Sequence, residues 1–302
     1  MGSKVIVLAR IKECDGAMQI TNYRLKTGIS KPIRIAVVAD LHNAPTDYLF
    51  SNIENNHPDM IVIAGDLVYG RELDRDKDNF IFEPEKPMLL RFPYADDFIH
   101  RIPSIAPTFF TYGNHEWLLM PADIDRIKKA GVKILHNTWM RWNEIYIGGL
   151  SSPDVTNYWV FQDEWRKAHP SDSRGNLRRS YFYWKTHEVR KNVDTSWLTE
   201  FESAIGYKIL ICHHPEYWSI KEPKLENHPI DLVIAGHAHG GQIRVGKRGL
   251  YASGQGWFPK YTSGIHKGDY GNMIVSRGLS NTLKIPRIFN PCEMVYVDLI
   301  TS

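Results

Sequence analysis

Five short apolar runs, each ending on side chains that can bind a cation, constrain this 302-residue chain more than any other feature. Residues 33–39 run into Asp40-Leu41-His42, 60–64 into Gly65-Asp66, and 106–112 into Gly113-Asn114-His115-Glu116. Further on, 207–212 leads to His213-His214-Pro215, and 231–235 leads to Gly236-His237-Ala238-His239. Such runs, too short for core helices and rich in β-branched residues, read as strands buried on both faces. Helical stretches lie between them at 45–56, 88–102 (interrupted by Pro93), 121–130 and 195–204. More strands are expected at 18–25, 132–135, 145–147, 272–276 and 294–299. The alternation predicts an α/β protein, and ligand sites in such sheets gather where strand ends meet loops.

Composition bounds the rest. With 43% hydrophobic and 24% charged residues, the chain can bury a sizeable core. A formal charge of +3 does not by itself imply nucleic acid, but the charge is unevenly spread. Residues 165–191 carry eight Lys/Arg against two Asp/Glu, and 241–268 carry five Lys/Arg and no acid. That separation favours an anionic ligand near the basic segments. Cys14, Cys212 and Cys292 are too few and too scattered for a disulfide framework or a cysteine-rich zinc site. There is no apolar run of transmembrane length, and residues 5–9 are closed off by Arg10, Lys12 and Glu13, so no signal peptide is expected. A cytoplasmic protein, or one peripheral to a membrane, is the expectation. Residues 70–86 are highly charged and read as a surface excursion, and 151–193, basic and aromatic, as a lid-like insertion in a single domain spanning 1–302.

A His-x-His pair alone is compatible with a solvated polar turn. Collected with the other strand ends, the donors are Asp40, His42, Asp66, Asn114, His115, His213, His237 and His239. Carboxylate oxygen and imidazole nitrogen without thiolate suit Mn²⁺, Fe or Zn²⁺ better than Ca²⁺, and Mn²⁺ is favoured. The donors are too many for one tetrahedral ion and enough for two divalent ions sharing a carboxylate. Such a pair, about 3.5–4 Å apart, can clamp the attacking and leaving oxygens of a phosphoryl displacement.

In order, Asp-x-His, Gly-Asp, Gly-Asn-His-Glu, a lone His and Gly-His-x-His resemble the calcineurin-like metallophosphoesterase superfamily, over roughly residues 33–242. The resemblance implies two mixed β-sheets packed as a sandwich flanked by helices. It also implies a hydrolase of phosphoester or phosphoanhydride bonds that attacks with a metal-bound hydroxide. Carried over residue by residue, one metal is held by Asp40, His42, Asp66 and His239. The other is held by Asp66 as bridge with Asn114, His213 and His237, and His115 serves the leaving oxygen. Gly240-Gly241-Gln242-Ile243-Arg244, Gly254-Gln255-Gly256, Tyr261, Ser276-Arg277-Gly278-Leu279 and Pro286-Arg287 look like one bacterial branch. That branch includes membrane-associated phosphoesterases and relatives of the pyrophosphatases acting on lipid A precursors. A phosphodiester or pyrophosphate in a small substrate, nucleotide or lipid-linked, is therefore the favoured target. A phosphomonoester, a nucleic acid, or a non-catalytic metal-binding scaffold are the alternatives.

One position departs from the family pattern. Tyr69 stands where Gly-Asp-x-x-Asp would supply a second carboxylate to support the catalytic histidine. Its loss is expected to lower the His115 pKa, unless another acid such as Glu72 substitutes. Arg277 and Arg287 are candidates for holding a phosphate or for pairing with carboxylates. Asn43 is a candidate for a phosphate oxygen or for capping the turn that follows.

Overall fold

A computed structural model describes residues 18–69, 87–155, 167, 193–283 and 285–301. Its strands begin with β1 (Gln19–Thr27), β2 (Ile33–Val38), β3 (Met60–Ile63), β4 (Thr108–Phe110), β5 (Lys133–Ile134) and β6 (Thr138–Trp142). Next come β7 (Ile145–Leu150), β8 (Tyr207–Cys212) and β9 (Leu232–Ala235), then β10 (Arg244–Val245), β11 (Arg248–Gly249), β12 (Tyr251–Ala252) and β13 (Gly256–Trp257). The last are β14 (Gly264–Lys267), β15 (Asn272–Val275) and β16 (Glu293–Thr301). The helices are α1 (Asp47–Asn55), α2 (Pro93–Arg101), α3 (Pro121–Lys129) and α4 (Leu198–Ser203).

Two six-stranded sheets result, ordered β1-β16-β2-β3-β4-β5 and β14-β15-β9-β8-β7-β6. Both are mixed. In the first, β2 to β5 run parallel and β16 pairs antiparallel with β2; in the second, β15, β9, β8 and β7 run parallel between antiparallel edges. The period of two explains the layering. Ile35, Val37, Met60 and Val62 join Ile209, Ile211, Leu232 and Ile234 in one core between the sheets. Their alternates Ala36, Val38, Ile61 and Ile63 pack outward with Phe50 and Ile53 of α1, Phe98 and Ile99 of α2, and Ile127 of α3. On the other sheet, Leu210, Cys212, Val233 and Ala235 pack outward with Leu198 and Phe201 of α4. The architecture is the expected sandwich of two mixed sheets flanked by helices.

Some local expectations need correcting. Pro93 does not interrupt a helix: it opens α2, after a separate 3-10 turn over Met88–Arg91, because its missing N–H is an orphan at that position. Gly148 and Gly149 do not end a strand but lie inside β7, where a Cβ on Gly149 would come within 2.3 Å of Leu135 O and of Thr111 Oγ1. The sequence reading also missed β6, β14 and the short hairpins β10–β11 and β12–β13. Cys292 is disulfide-bonded, against the expectation from sparse cysteines, while Cys212 is free and buried. The fold brings the first residue of β1 beside Cys292, since Gln19 N–H donates to Cys292 O at 2.8 Å, a proximity that sequence spacing does not reveal. The surface excursion at 70–86, with Glu72, and nearly all of the 151–193 insertion lie outside the described residues. No described helix is long and apolar enough to cross a membrane.

Candidate metal centre

Because β2, β3 and β4 are parallel neighbours, the loops after them deliver Asp40, Asp66 and Asn114 to one edge of the first sheet. The parallel pair β8–β9 delivers His213, His237 and His239 to the facing edge of the second. The chain turns sharply there, with φ of 54° at Asp40, 47° at His42, 55° at Asp66, 66° at His237 and 45° at His239. Left-handed backbone costs an L-residue roughly 1–2 kcal/mol, and it persists where surroundings over-determine it. Here they do. His237 N–H donates to both carboxylate oxygens of Asp40, at 3.1 and 3.0 Å, and Ser280 Oγ donates to Asp40 O at 2.8 Å. Gly65 (φ 85°) lets the edges close up, since a Cβ there would stand 2.6 Å from His213 Nδ1.

The side chains sort into two groups. Asp40, His42 and His239 form one; Asp66, His213 and His237 form another, with the donor atoms of each group within 4.8 Å of one another. His42 Nε2 lies 3.6 Å from Asp66 Oδ2, so Asp66 stands between the groups. His237 and His239 are therefore divided between groups, as the family resemblance implies, and β9 ends before either of them.

The donor chemistry fits cations. His213 Nδ1 contacts Ala64 O at 2.7 Å and His42 Nδ1 contacts Val68 O at 3.2 Å. A carbonyl can only accept, so each Nδ1 carries the proton and each Nε2 is turned to the pocket. Asn114 Oδ1 is buried with no hydrogen-bond partner among the described residues, and His213 Nε2 lies 3.1 Å from Asp66 Oδ2. Burial holds His42 and His237 well below the usual histidine range, and burial with the nearby Arg287 charge takes His239 to about 3. Burial pushes Asp40 up to about 7. Burial also opposes the charge on Asp66, but the surrounding histidines, His213 foremost with His115 and His42, together hold Asp66 well below the carboxylate range. His213 is reciprocally raised to about 10: burial pulls it down and Asp66 overcomes that. His239 differs in one respect. Arg287 Nη2 faces its Nδ1 at 3.0 Å, and its Nε2 faces His42 Nε2 at 3.3 Å, so here its proton sits on Nε2. Holding a cation through Nε2 requires that proton to leave.

The remaining candidates divide. His115 stands at the rim, 18% exposed, with Nε2 4.0 Å from Asp66 Oδ2 and its backbone N–H donating to Asp66 Oδ1 at 2.8 Å. The Tyr69 ring lies 5.5 Å from the rings of both His42 and His115, and its hydroxyl donates to Thr282 O at 2.9 Å. Asn43 Oδ1 accepts from the N–H groups of Tyr94 and Ala95 at 3.0 and 3.1 Å, so it caps α2 rather than the turn after it. Arg277 is held by Gln19 Oε1 at 3.0 Å and sits 3.9 Å from Glu293 Oε1, the carboxylate partner of its two readings. Arg287 touches the metal ligands through His239, and its buried Nε and Nη1 have no hydrogen-bond partner among the described residues.

Two acids were missed as functional. Glu116 is fully buried and accepts from the backbone N–H groups of Asp66, Leu67 and Gly113 at 2.8, 2.7 and 2.7 Å. Its place in Gly113-Asn114-His115-Glu116 was the available signal. Glu216, 2% exposed, joins His214 and His237 in a third group of donors within 4.8 Å, and His214 Nε2 pairs with Ser152 Oγ at 2.9 Å.

Residues 33–241 match the family profile described as calcineurin-like phosphoesterase. YpbG, an uncharacterized protein of Bacillus subtilis (strain 168), is 25% identical over 250 residues, covering 81% of this chain and 75% of that protein. Phosphodiesterase YaeI of Escherichia coli (strain K12) is 24% identical over 230 residues, covering 71% of this chain and 63% of that protein. An uncharacterized metallophosphoesterase of Helicobacter pylori (strain ATCC 700392 / 26695) is 25% identical over 71% of this chain, which spans only 46% of that relative's length. A solved dimetal phosphatase from Danio rerio aligns with a TM-score of 0.47 and 13% identity, covering 84% of this chain and 90% of its own.

Proposed function

Since the chain belongs to the calcineurin-like phosphoesterase family and is a metal-dependent phosphoesterase, we propose that it hydrolyses a phosphodiester or pyrophosphate bond in a small substrate. The observation that carries the reading is the pair of donor groups on either side of Asp66. In this reading Asp40, His42, Asp66 and His239 hold one divalent ion, and Asp66, Asn114, His213 and His237 hold a second. The mixed oxygen and imidazole donors suit Mn²⁺, Fe or Zn²⁺, and Mn²⁺ is the ion taken first in the test below. Such ions supply a water of lowered pKa and positive charge for the phosphoryl oxygens. The chain's own groups do the rest. His213 and His42 present Nε2 because their Nδ1 protons are held by backbone carbonyls. His115, on the exposed rim, gives a proton to the departing oxygen. Arg287, whose Nε and Nη1 have no hydrogen-bond partner among the described residues, suits a substrate phosphate; Arg277 and the oxygen of Asn43 are occupied elsewhere.

Substrate preference is supported by a relative named a phosphodiesterase and by the bacterial-branch residues. Three of them, Gln255, Tyr261 and Arg244, serve packing here. Gln255 and Tyr261 bond reciprocally, and Arg244 is buried against Gly240 O and Thr262 Oγ1. They support the branch with its nucleotide or lipid-linked substrates, and a cytoplasmic or membrane-peripheral setting, without contacting a substrate themselves. The scaffold reading is disfavoured because every ligand position is filled. The test is turnover of aryl phosphate diesters and monoesters, nucleotides and lipid-linked diphosphates with added Mn²⁺. Diesters or diphosphates should lead, and His115→Ala should slow the leading substrate by roughly 100-fold or more. A monoester leading the panel would overturn the substrate choice, and no turnover of any would overturn the hydrolase reading.

A further inference from the structure

Beyond the ligand loop that follows β9, the chain forms an apron with an unusual surface. Val245 is 79% exposed, Trp257 68%, Phe258 77% and Phe289 85%, with Ile285 and Ile288 also exposed. Backbone bonds join these segments. Ile243 bridges Ile288, Arg244 N–H donates to Ile288 O at 3.0 Å, Leu250 N–H donates to Ile243 O, and Phe258 N–H donates to Leu250 O, both at 2.8 Å. Asn290 Nδ2 ties the apron to the metal centre through His239 O at 2.7 Å.

Two features make this more than scattered surface apolarity. Phe258 and Phe289 each have φ of 52°, a left-handed backbone that bulky residues rarely adopt. The fold thus holds two phenyl rings in water, in a strained conformation, with no burial to offset it. The stretch 241–268 also carries five Lys/Arg and no acid, of which Lys247, Arg248 and Lys260 are exposed. Exposed rings beside cations suit either a bilayer surface or single-stranded nucleic acid. Stacking on bases uses aromatic faces, whereas this patch mixes them with Val245, Ile285 and Ile288. A protein interface of this kind would be depleted in lysine.

We propose that this apron docks on an anionic lipid bilayer, with Phe258, Phe289 and Trp257 at the headgroup level and Lys247, Arg248 and Lys260 against lipid phosphates. Docking would bring the edge that carries His239 close to the membrane surface, where a lipid-linked substrate lies. It requires no particular reaction, so it can fail while the phosphoesterase reading stands, and the reverse.

The test is flotation of the full chain with vesicles of phosphatidylcholine alone or with roughly one-third phosphatidylglycerol. The protein should partition onto the anionic vesicles, less at high salt, and only weakly onto phosphatidylcholine. The double variant Phe258→Asn, Phe289→Asn should lose roughly tenfold or more of that partition. Asparagine accepts left-handed φ, so its thermal unfolding temperature should hold or rise, and hydrolysis of a soluble aryl phosphodiester should not change. Lys247→Glu with Arg248→Glu should remove the preference for anionic vesicles. Absence of binding to anionic vesicles, equal binding by the asparagine variant, or binding to a single-stranded oligonucleotide instead would overturn the proposal.

Discussion

The carboxylate of Glu116 accepts a hydrogen bond from the backbone N–H of Asp66 at 2.8 Å, and so sets the direction in which the central carboxylate of the site is presented. The same group takes N–H donors from Leu67 and Gly113, both at 2.7 Å, and clamps two ligand-bearing loops together. Glu116→Gln would turn an amide N–H₂ against those donors. Stability to denaturant should fall by about 1–3 kcal/mol, and metal affinity by roughly 10–100-fold. Unfolding and metal titration of the variant check both; unchanged affinity would show that the clamp does not position Asp66.

Glu216 offers a parallel test for one ion alone. Its Oε1 lies 3.5 Å from His214 Nδ1. Burial opposes its charge, but His214 outweighs burial and holds the carboxyl below the usual range. Glu216→Gln keeps the volume and removes the charge that favours His237 as a donor. Calorimetric titration with Mn²⁺ should show the affinity of one of two sites reduced by roughly tenfold or more, with Glu216→Asp intermediate. Equal loss at both sites would point to general loosening instead.

Tyr69 fills the place of a family carboxylate with a ring beside His115 and a hydroxyl spent on Thr282 O. Tyr69→Asp would add a negative charge near His115 and favour its imidazolium form. The basic limb of the pH–rate profile should move to higher pH in that variant, while Tyr69→Phe should leave the limb in place and lower stability by about 1 kcal/mol. Coincident profiles for wild type and Tyr69→Asp would remove Tyr69 from the account of His115.

Far from the site, Glu144 in the β6–β7 turn accepts from Ser30 N–H and Ser30 Oγ, each at 2.9 Å, and from Lys31 N–H at 3.3 Å. These bonds, those from Ser30 foremost, hold its pKa below the ordinary 4.5. A carboxyl depressed in the folded state contributes stability that is present above its unfolded pKa and lost as pH falls through the folded one. The melting temperature of Glu144→Gln should therefore lie below wild type at neutral pH, and the gap should close as the pH drops below 4.5. A gap constant across that range would refute the linkage.

What could be read from the sequence was the chemistry at strand ends. Apolar runs ending on Asp, Asn or His carry their meaning locally, so the α/β class and the ligand candidates were legible, and the two-sheet architecture followed from the family resemblance of those strand ends. Elements without that signature were not. Thr138–Trp142 mixes Thr and Arg with two Trp and a Met at a half-exposed edge and carries no clean period. Side-chain partners were harder still, because they are distant in the chain: Arg277 reaches Gln19, 258 positions away, and Asn43 caps a helix 51 positions on. Glu216 follows a proline in a short turn, where an acid ordinarily faces water; only the fold shows it buried behind His237.

Two of the donor groups draw on both sheets, with Asp40 and His42 facing His239 in one, and Asp66 facing His213 and His237 in the other. Cations seated there would rivet one layer to the other at a single end of the sandwich. At the opposite end the carboxylate of Glu144 in one layer accepts from Ser30 of the other. The two layers would then be clasped like the boards of a book, tight along the edge where the chemistry occurs and held by a lighter catch at the other.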